Sequence, residues 1–165
     1  MLYLYRVSKI EDFDFFLKLK SQKDAIKWSG FSEAPNPDIF KQYFIDNILN
    51  NPNSYVYYLK DDSDNIPMGY IQFNSESDTV VEGRGTNILK CYQGCGLLDE
   101  MTKLMFAKAK EEGFKTMYTY ASEKNLPAIY NLQSNGYIRT DIYEERMMQA
   151  QNESHRFYKW IKILD

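Results

Sequence analysis

The sequence predicts an α+β domain with a mixed sheet flanked by helices, and two observations carry that expectation. Period-two runs rich in Tyr, Val and Ile are interrupted by helical patterns in the order strand, two helices, three strands, helix, strand, helix, two strands. That order is not the regular alternation of a doubly wound fold. The chain has 165 residues, 44% hydrophobic and 16% aromatic. Such a length fits one domain, which buries roughly 70% of its unfolded surface. No repeat or low-complexity stretch divides residues 1–165.

Each element follows from its residues. "LYLYRV" (Leu2 to Val7) alternates apolar and polar side chains and reads as a strand. Ser8 and Glu11 have the spacing of a capping box, which predicts a helix over Lys9 to Gln22. "IKWSGFSEAPNP", with Gly30, Pro35 and Pro37, reads as a loop. Asn36 before Pro37 starts the next helix, "DIFKQYFIDNIL". "YVYYLK" and "PMGYIQF", joined by "DDSDN", read as a hairpin. "TVVEGRGTNIL" is a strand whose Gly83 and Gly85 mark a bulge or a close approach of another chain or ligand. From Gly96 to Glu112 the helical period places Leu98, Met101, Met105 and Ala109 on one face, with Gly113 as the stop. "KTMYTYAS" is a strand, "NLPAIYNLQSN" a short helix closed by Gly136, and "YIRTDIYEER" and "HRFYKWIKIL" are the last two strands.

Composition excludes several function classes. Cys91, Cys95 and His155 are the whole soft-ligand inventory, too few for a zinc site of about four ligands, so no metal is expected. A net charge of −3 and a pI near 5.3 give no pull toward nucleic acid, and a neutral or cationic partner is easier to accommodate. No run approaches the ~20 apolar residues of a membrane helix, and the first residues lack a secretory pattern. A cytoplasmic protein with no membrane partner is expected.

The stretch "YQGCGLLDEM" (92–101) sets two glycines between a strand and a helix. A helix start offers about four free N–H groups and a partial positive charge, and phosphates bind there. Taken alone, the turn is equally an ordinary left-handed connection. There is no Gly-x4-Gly-Lys-Ser/Thr run and no acidic residue ending the next strand, so two familiar nucleotide sites are excluded.

The turn resembles the diphosphate signature of the GNAT superfamily of N-acetyltransferases, Gln/Arg-x-x-Gly-x-Gly/Ala. Gln93 and Gly96 match, and Leu98 stands where a small residue is expected. A second segment agrees in order and spacing, with Asn125, Ala128, Gly136 and Tyr137 matching the family's Asn-x-x-Ala and Gly-Phe pairs. The resemblance implies a mostly antiparallel sheet with splayed central strands and acetyl-CoA as co-substrate. It places the cofactor on the backbone of Gln93, Gly94, Cys95, Gly96, Leu97 and Leu98 and near Asn125. It puts the N–H of Ile88 beside the thioester carbonyl and makes Glu82 the candidate general base; otherwise Glu82 is a solvated partner of Arg84.

The position of the family's frequent acid tyrosine is Leu132. Tyr130, about 200° away on the helix, does not replace it. Tyr118 and Tyr120 are the alternatives, or solvent protonates the thiolate. Cys91 and Cys95 read as ordinary reduced residues. Trp28 and Phe31 are either core or the lining of the acceptor pocket. "DDSDN" and "YEER" either attract a cationic acceptor or are solvated turns. The expected reaction is acetyl transfer to a primary amine of a small molecule or peptide, in a family that often forms homodimers. A non-catalytic acyl-CoA-binding module is the alternative, with Leu98 and Leu132 in its favour.

Overall fold

A computed structural model describes residues 1–165. Its strands are β1 (Leu2–Arg6), β2 (Ser54–Asp61), β3 (Pro67–Ser75), β4 (Val80–Ile88), β5 (Thr116–Ser122), β6 (Ile138–Met148) and β7 (Glu153–Ile163). Its helices are α1 (Phe13–Lys20), α2 (Lys23–Ser29), α3 (Pro37–Phe44), α4 (Leu97–Glu111) and α5 (Leu126–Ser134). The strands form one seven-stranded sheet in the order β1-β2-β3-β4-β5-β7-β6. All neighbours are antiparallel except β4 and β5. The predicted α+β plan with a mixed, mostly antiparallel sheet is what the chain adopts.

Two expectations at the N-terminal end change. Ser8 and Glu11 do not cap the first helix. The carboxylate of Asp12 accepts from the N–H groups of Ser8 (3.0 Å) and Lys9 (3.2 Å), and a 3-10 turn (Ile10–Asp12) precedes α1. Asp12 prevails because it satisfies two free amides and the Tyr5 hydroxyl at once. The loop expected from Ile26 begins later, since Lys23–Ser29 is helical and Gly30, at φ 91°, is the left-handed stop of that helix. The start of α3 is as predicted, with the Asn36 side chain accepting from Asp38 and Ile39 N–H.

The sheet has a core on each face. On the rear, Met101, Met105 and Ala109 of α4 and Leu132 of α5 pack on Leu59, Ile71, Phe73, Val81, Met117 and Trp160. On the front, Phe13, Phe16 and Leu19 of α1 with Phe44 of α3 cover Val56, Tyr58 and Tyr70. Side chains alternate along a strand. Val81 and Met117 therefore face the rear, while their neighbours Glu82 and Tyr118 face the front.

The decisive feature is central. β4 and β5 pair over only three rungs, ending at Glu82 and Tyr118, and then part. Opposite Gln72 and Phe73, β4 carries an extra residue, so that Arg84 has no partner between Gly83 and Gly85. Such a bulge bends the strand away from its former course. Where ladder bonds stop, the Thr119 hydroxyl donates to the Gly83 carbonyl at 2.9 Å.

Candidate active site

The turn after β4 is built to leave donors free. Gly94 and Gly96 have φ of 81° and 79°, a region side chains disfavour, and a Cβ on either would meet nothing within 4 Å. The backbone therefore faces open space. No protein carbonyl accepts from the N–H groups of Gly94, Cys95, Gly96, Leu97, Leu98 or Asp99. Gln93 is different: its N–H donates to the Lys90 carbonyl at 3.2 Å. Its side-chain amide donates to the Ile88 carbonyl and to Asp24, both at 3.0 Å. Gln93 thus braces the turn from behind, and the free cradle runs one residue later than the expected 93–98. The Leu97 and Leu98 side chains pack toward the rear core, so the bulk of Leu98 lies away from the open side. Cys95 and Cys91 are exposed free thiols.

From the cradle the gap between β4 and β5 leads to the point where they part. Leu89 N–H bonds to Met68 on β3 at 2.8 Å. Alternation then turns the N–H groups of Ile88 and Thr86 toward the gap. A cavity of about 70 Å³ lies at the split, lined by Gly83, Gly85, Thr86 and Thr119 from the strands and by Thr102, Asn131, Leu132 and Tyr137 from the rear. Thr86 lines this cavity and Ile88 does not. Leu132 presents an apolar wall here, whereas Tyr130 is 73% exposed on another face of α5. The Tyr137 hydroxyl is deeply buried and donates only to the Met117 sulfur at 3.2 Å; burial raises its pKa well above the ordinary tyrosine value.

The front mouth of the split holds the titratable side chains. Glu82 sits on the last paired rung and accepts from Arg84 at 2.8 Å. Tyr118 lies opposite it, and its pKa is raised first by burial and then by the Glu76 and Glu82 carboxylates. The Tyr120 pKa is also raised, by burial first and then by Glu144 and Glu82. Both are weaker acids than a free tyrosine, and both stand on the opposite sheet face from Leu132.

The remaining predicted residues separate. Asn125 caps α5, accepting from Ala128 N–H at 3.3 Å. Trp28 is half-buried on α2, its ring 6.1 Å from that of His155, while Phe31 is 63% exposed. His155 is buried between Ser122 (2.8 Å) and Glu153 (2.7 Å). The acidic stretches have local partners: Asp61 and Asp62 share the N-terminal ammonium, and Glu144 and Glu145 pair with Arg146 and Arg156. Sequence reasoning missed Thr86, Thr102, Thr119 and Asn131. Their spacing carries no motif, and the position of Thr86 directly after the predicted Gly83–Gly85 irregularity was the one available signal.

The acetyltransferase (GNAT) family model matches residues 19–137. No curated protein matches the chain in sequence. Among solved structures, the chain resembles a spermidine N-acetyltransferase from Vibrio cholerae in complex with CoA and spermine, with a TM-score of 0.83 at 12% identity over 99% of this chain and 95% of that one. It also resembles the aminoglycoside acetyltransferase AAC(6')-Ib in complex with coenzyme A, with a TM-score of 0.76 at 15% identity over 99% and 95%. An N-acetyltransferase from Staphylococcus aureus Mu50 gives 0.76 at 13% identity over 100% and 99%.

Proposed function

The chain belongs to the acetyltransferase (GNAT) family, and from that premise we propose that it transfers the acetyl group of acetyl-CoA to a primary amine by direct attack. The observation that carries the reading is the run of six free N–H groups from Gly94 to Asp99, set where the parted strands β4 and β5 open. Free amides at the start of a 15-residue helix suit a diphosphate. The gap-facing amides of Thr86 and Ile88 suit the amide-bearing arm that follows it.

Thr86 is the better donor for the thioester oxygen, because it lines the cavity at the split and Ile88 lies two residues nearer the cradle. One such donor is worth about 3 kcal/mol to a developing oxyanion. An acceptor ammonium of pKa near 10.4 has roughly one neutral molecule in a few thousand at pH 7. Glu82, at the front mouth, takes its proton directly or through a water. The amine then attacks the carbonyl carbon, the C–S bond breaks, and the remaining nitrogen proton leaves through solvent as the sulfur gains one. With Leu132 in the cavity wall no helix-borne acid serves the sulfur. A thiol pKa near 8.5 makes the thiolate a tolerable leaving group without one. Trp28 and Phe31 border the acceptor side.

Isothermal titration with acetyl-CoA, followed by thiol release over a panel of amines, tests the reading. Absence of acetyl-CoA binding refutes it. Leu132 also suits a non-catalytic acyl-CoA-binding module, which would show binding without thiol release on any amine.

A further inference from the structure

Two lysines at the front mouth have no anionic partner. Lys20, half-buried at the end of α1, donates to the Tyr70 hydroxyl at 2.9 Å and to the Asn87 side-chain carbonyl at 3.3 Å, both neutral acceptors. Its ammonium lies 4.3 Å from the Tyr70 ring centre and 5.6 Å from that of Phe16. A Cβ on Gly85 would stand 2.9 Å from the Tyr70 hydroxyl. Gly85 lines the cavity at the split, so Lys20 and Tyr70 stand against the front side of the strand that forms its wall. On the other side, the Lys159 ammonium lies 4.2 Å from the Tyr118 ring centre, across the rung from Glu82. Trp160 faces the rear core, so Lys159 faces front. Neither lysine forms an ion pair.

The other charges at this mouth mostly cancel. Arg84 pairs with Glu82 at 2.8 Å and Arg146 with Glu144 at 3.0 Å. Glu76, exposed in the turn before β4, is the one carboxylate beside Tyr118 without a cation. Although the whole chain is acidic, the opening over the split is therefore locally cationic. A half-buried ammonium bonded only to neutral oxygens and ring faces gains from an oxyanion placed against it.

Resting on the transferase reading above, we propose that the acceptor is an amine that also carries a carboxylate or another oxyanion, received by Lys20 and Lys159 at the front mouth of the split. The same two cations repel a polycation. They also lower the pKa of the acceptor ammonium, which raises the neutral fraction that attacks.

The test is isothermal titration of amines into protein loaded with coenzyme A, which reads acceptor preference without turnover. Matched pairs are α-amino acids against their carboxamides and 2-aminoethylphosphonate against ethanolamine, with spermine as the polycation. The expected result is at least tenfold tighter binding of the oxyanion-bearing member, with spermine weakest. Lys20→Met and Lys159→Met each keep the aliphatic stem, and each should shrink the acid-over-amide ratio by about tenfold, with Lys20→Arg restoring part of it. Lys159→Met lies on a different element, β7, with no side-chain hydrogen bond to lose, and serves if Lys20→Met does not fold. Equal or tighter binding of the carboxamides or spermine, no binding of any oxyanion-bearing amine, or an unchanged ratio in the methionine variants overturns the assignment. Failure of coenzyme A to load refutes the transferase reading itself, a separately visible outcome.

Discussion

Gly96→Val, measured against Gly113→Val, separates a ligand cradle from an ordinary helix connection. The two glycines bracket α4 with φ of 79° and 95°, and a Cβ on either would meet nothing within 4 Å. Valine in the left-handed region costs about 1–2 kcal/mol at either position, and for a chain of this size each kcal/mol lowers Tm by roughly 2–4 °C. Thermal melts of the two variants should therefore agree. Binding should not. At Gly96 the strained residue either projects two methyl groups into the space the free amides face or leaves the left-handed region and re-aims them. A hydrogen bond to a charged group is worth about 1.5–3 kcal/mol, so losing one or two weakens acetyl-CoA by at least about tenfold. Isothermal titration reads this directly. A folded Gly96→Val with unchanged affinity, or an equal loss in Gly113→Val, would refute the cradle.

Four further outcomes are expected. Glu82→Gln should lower turnover by about 10²-fold with acetyl-CoA affinity unchanged. It should cost little stability, because the Arg84 partner is half-exposed; normal turnover with a normal pH profile returns Glu82 to a surface role. Tyr130→Phe should leave turnover within about threefold, since that hydroxyl stands outside the cavity; a hundredfold loss, about 2.7 kcal/mol, would show the α5 faces to be misassigned. Hydrogen exchange should find the Thr86 and Ile88 amides fast in the free protein and slowed by acetyl-CoA, and equal rates in both states would remove them from the binding edge. Asp61 is held down at about 2 by the Ser63 N–H first and by the N-terminal ammonium. Its contribution is thus present above the ordinary carboxylate range and lost as pH falls from about 4 toward 2. In urea melts Asp61→Asn should lose less stability across that window than the parent, and an equal loss would contradict the sign.

The strands were legible because apolar alternation is strong where one face is buried, as in "LYLYRV" and "YVYYLK". The second helix was not, because Gly30 and the prolines after it were read as marks of a loop, whereas a left-handed glycine also ends a helix. The open two-glycine turn was legible for a local reason: the left-handed backbone at Gly94 and Gly96 is set by the residue type itself and needs no tertiary contact. The cavity walls are the opposite case: Thr86, Thr119 and Asn131 come from three elements that meet only after the sheet forms, and nothing along the chain links them. The bracing contacts of Gln93 were out of reach for the same reason, since Ile88 and Asp24 lie on β4 and α2.

The split in the sheet also explains why packing and chemistry coexist on so short a stretch. On the last two rungs, Val81 and Met117 point to the rear and are fully buried, while Glu82 and Tyr118, one rung further, point to the front and stay partly exposed. The pleat thereby buries one set of side chains in the core and leaves the next residues along, the proposed base Glu82 among them, at the front of the split. Beyond that rung the ladder must end, because a continued β5 would occupy the Thr86 and Ile88 amides. The Thr119 hydroxyl satisfies the first orphaned carbonyl, Gly83. A Cβ on Gly83 would stand 3.4 Å from that of Thr119, in ordinary van der Waals contact, so the two strands are still close at this point. The bulge at Arg84 then carries β4 away and brings Gly85 under Tyr70 and Lys20. A one-residue slip in β4 would send Glu82 into the rear core and Val81 to the mouth, so the same register that seals the core fixes the site.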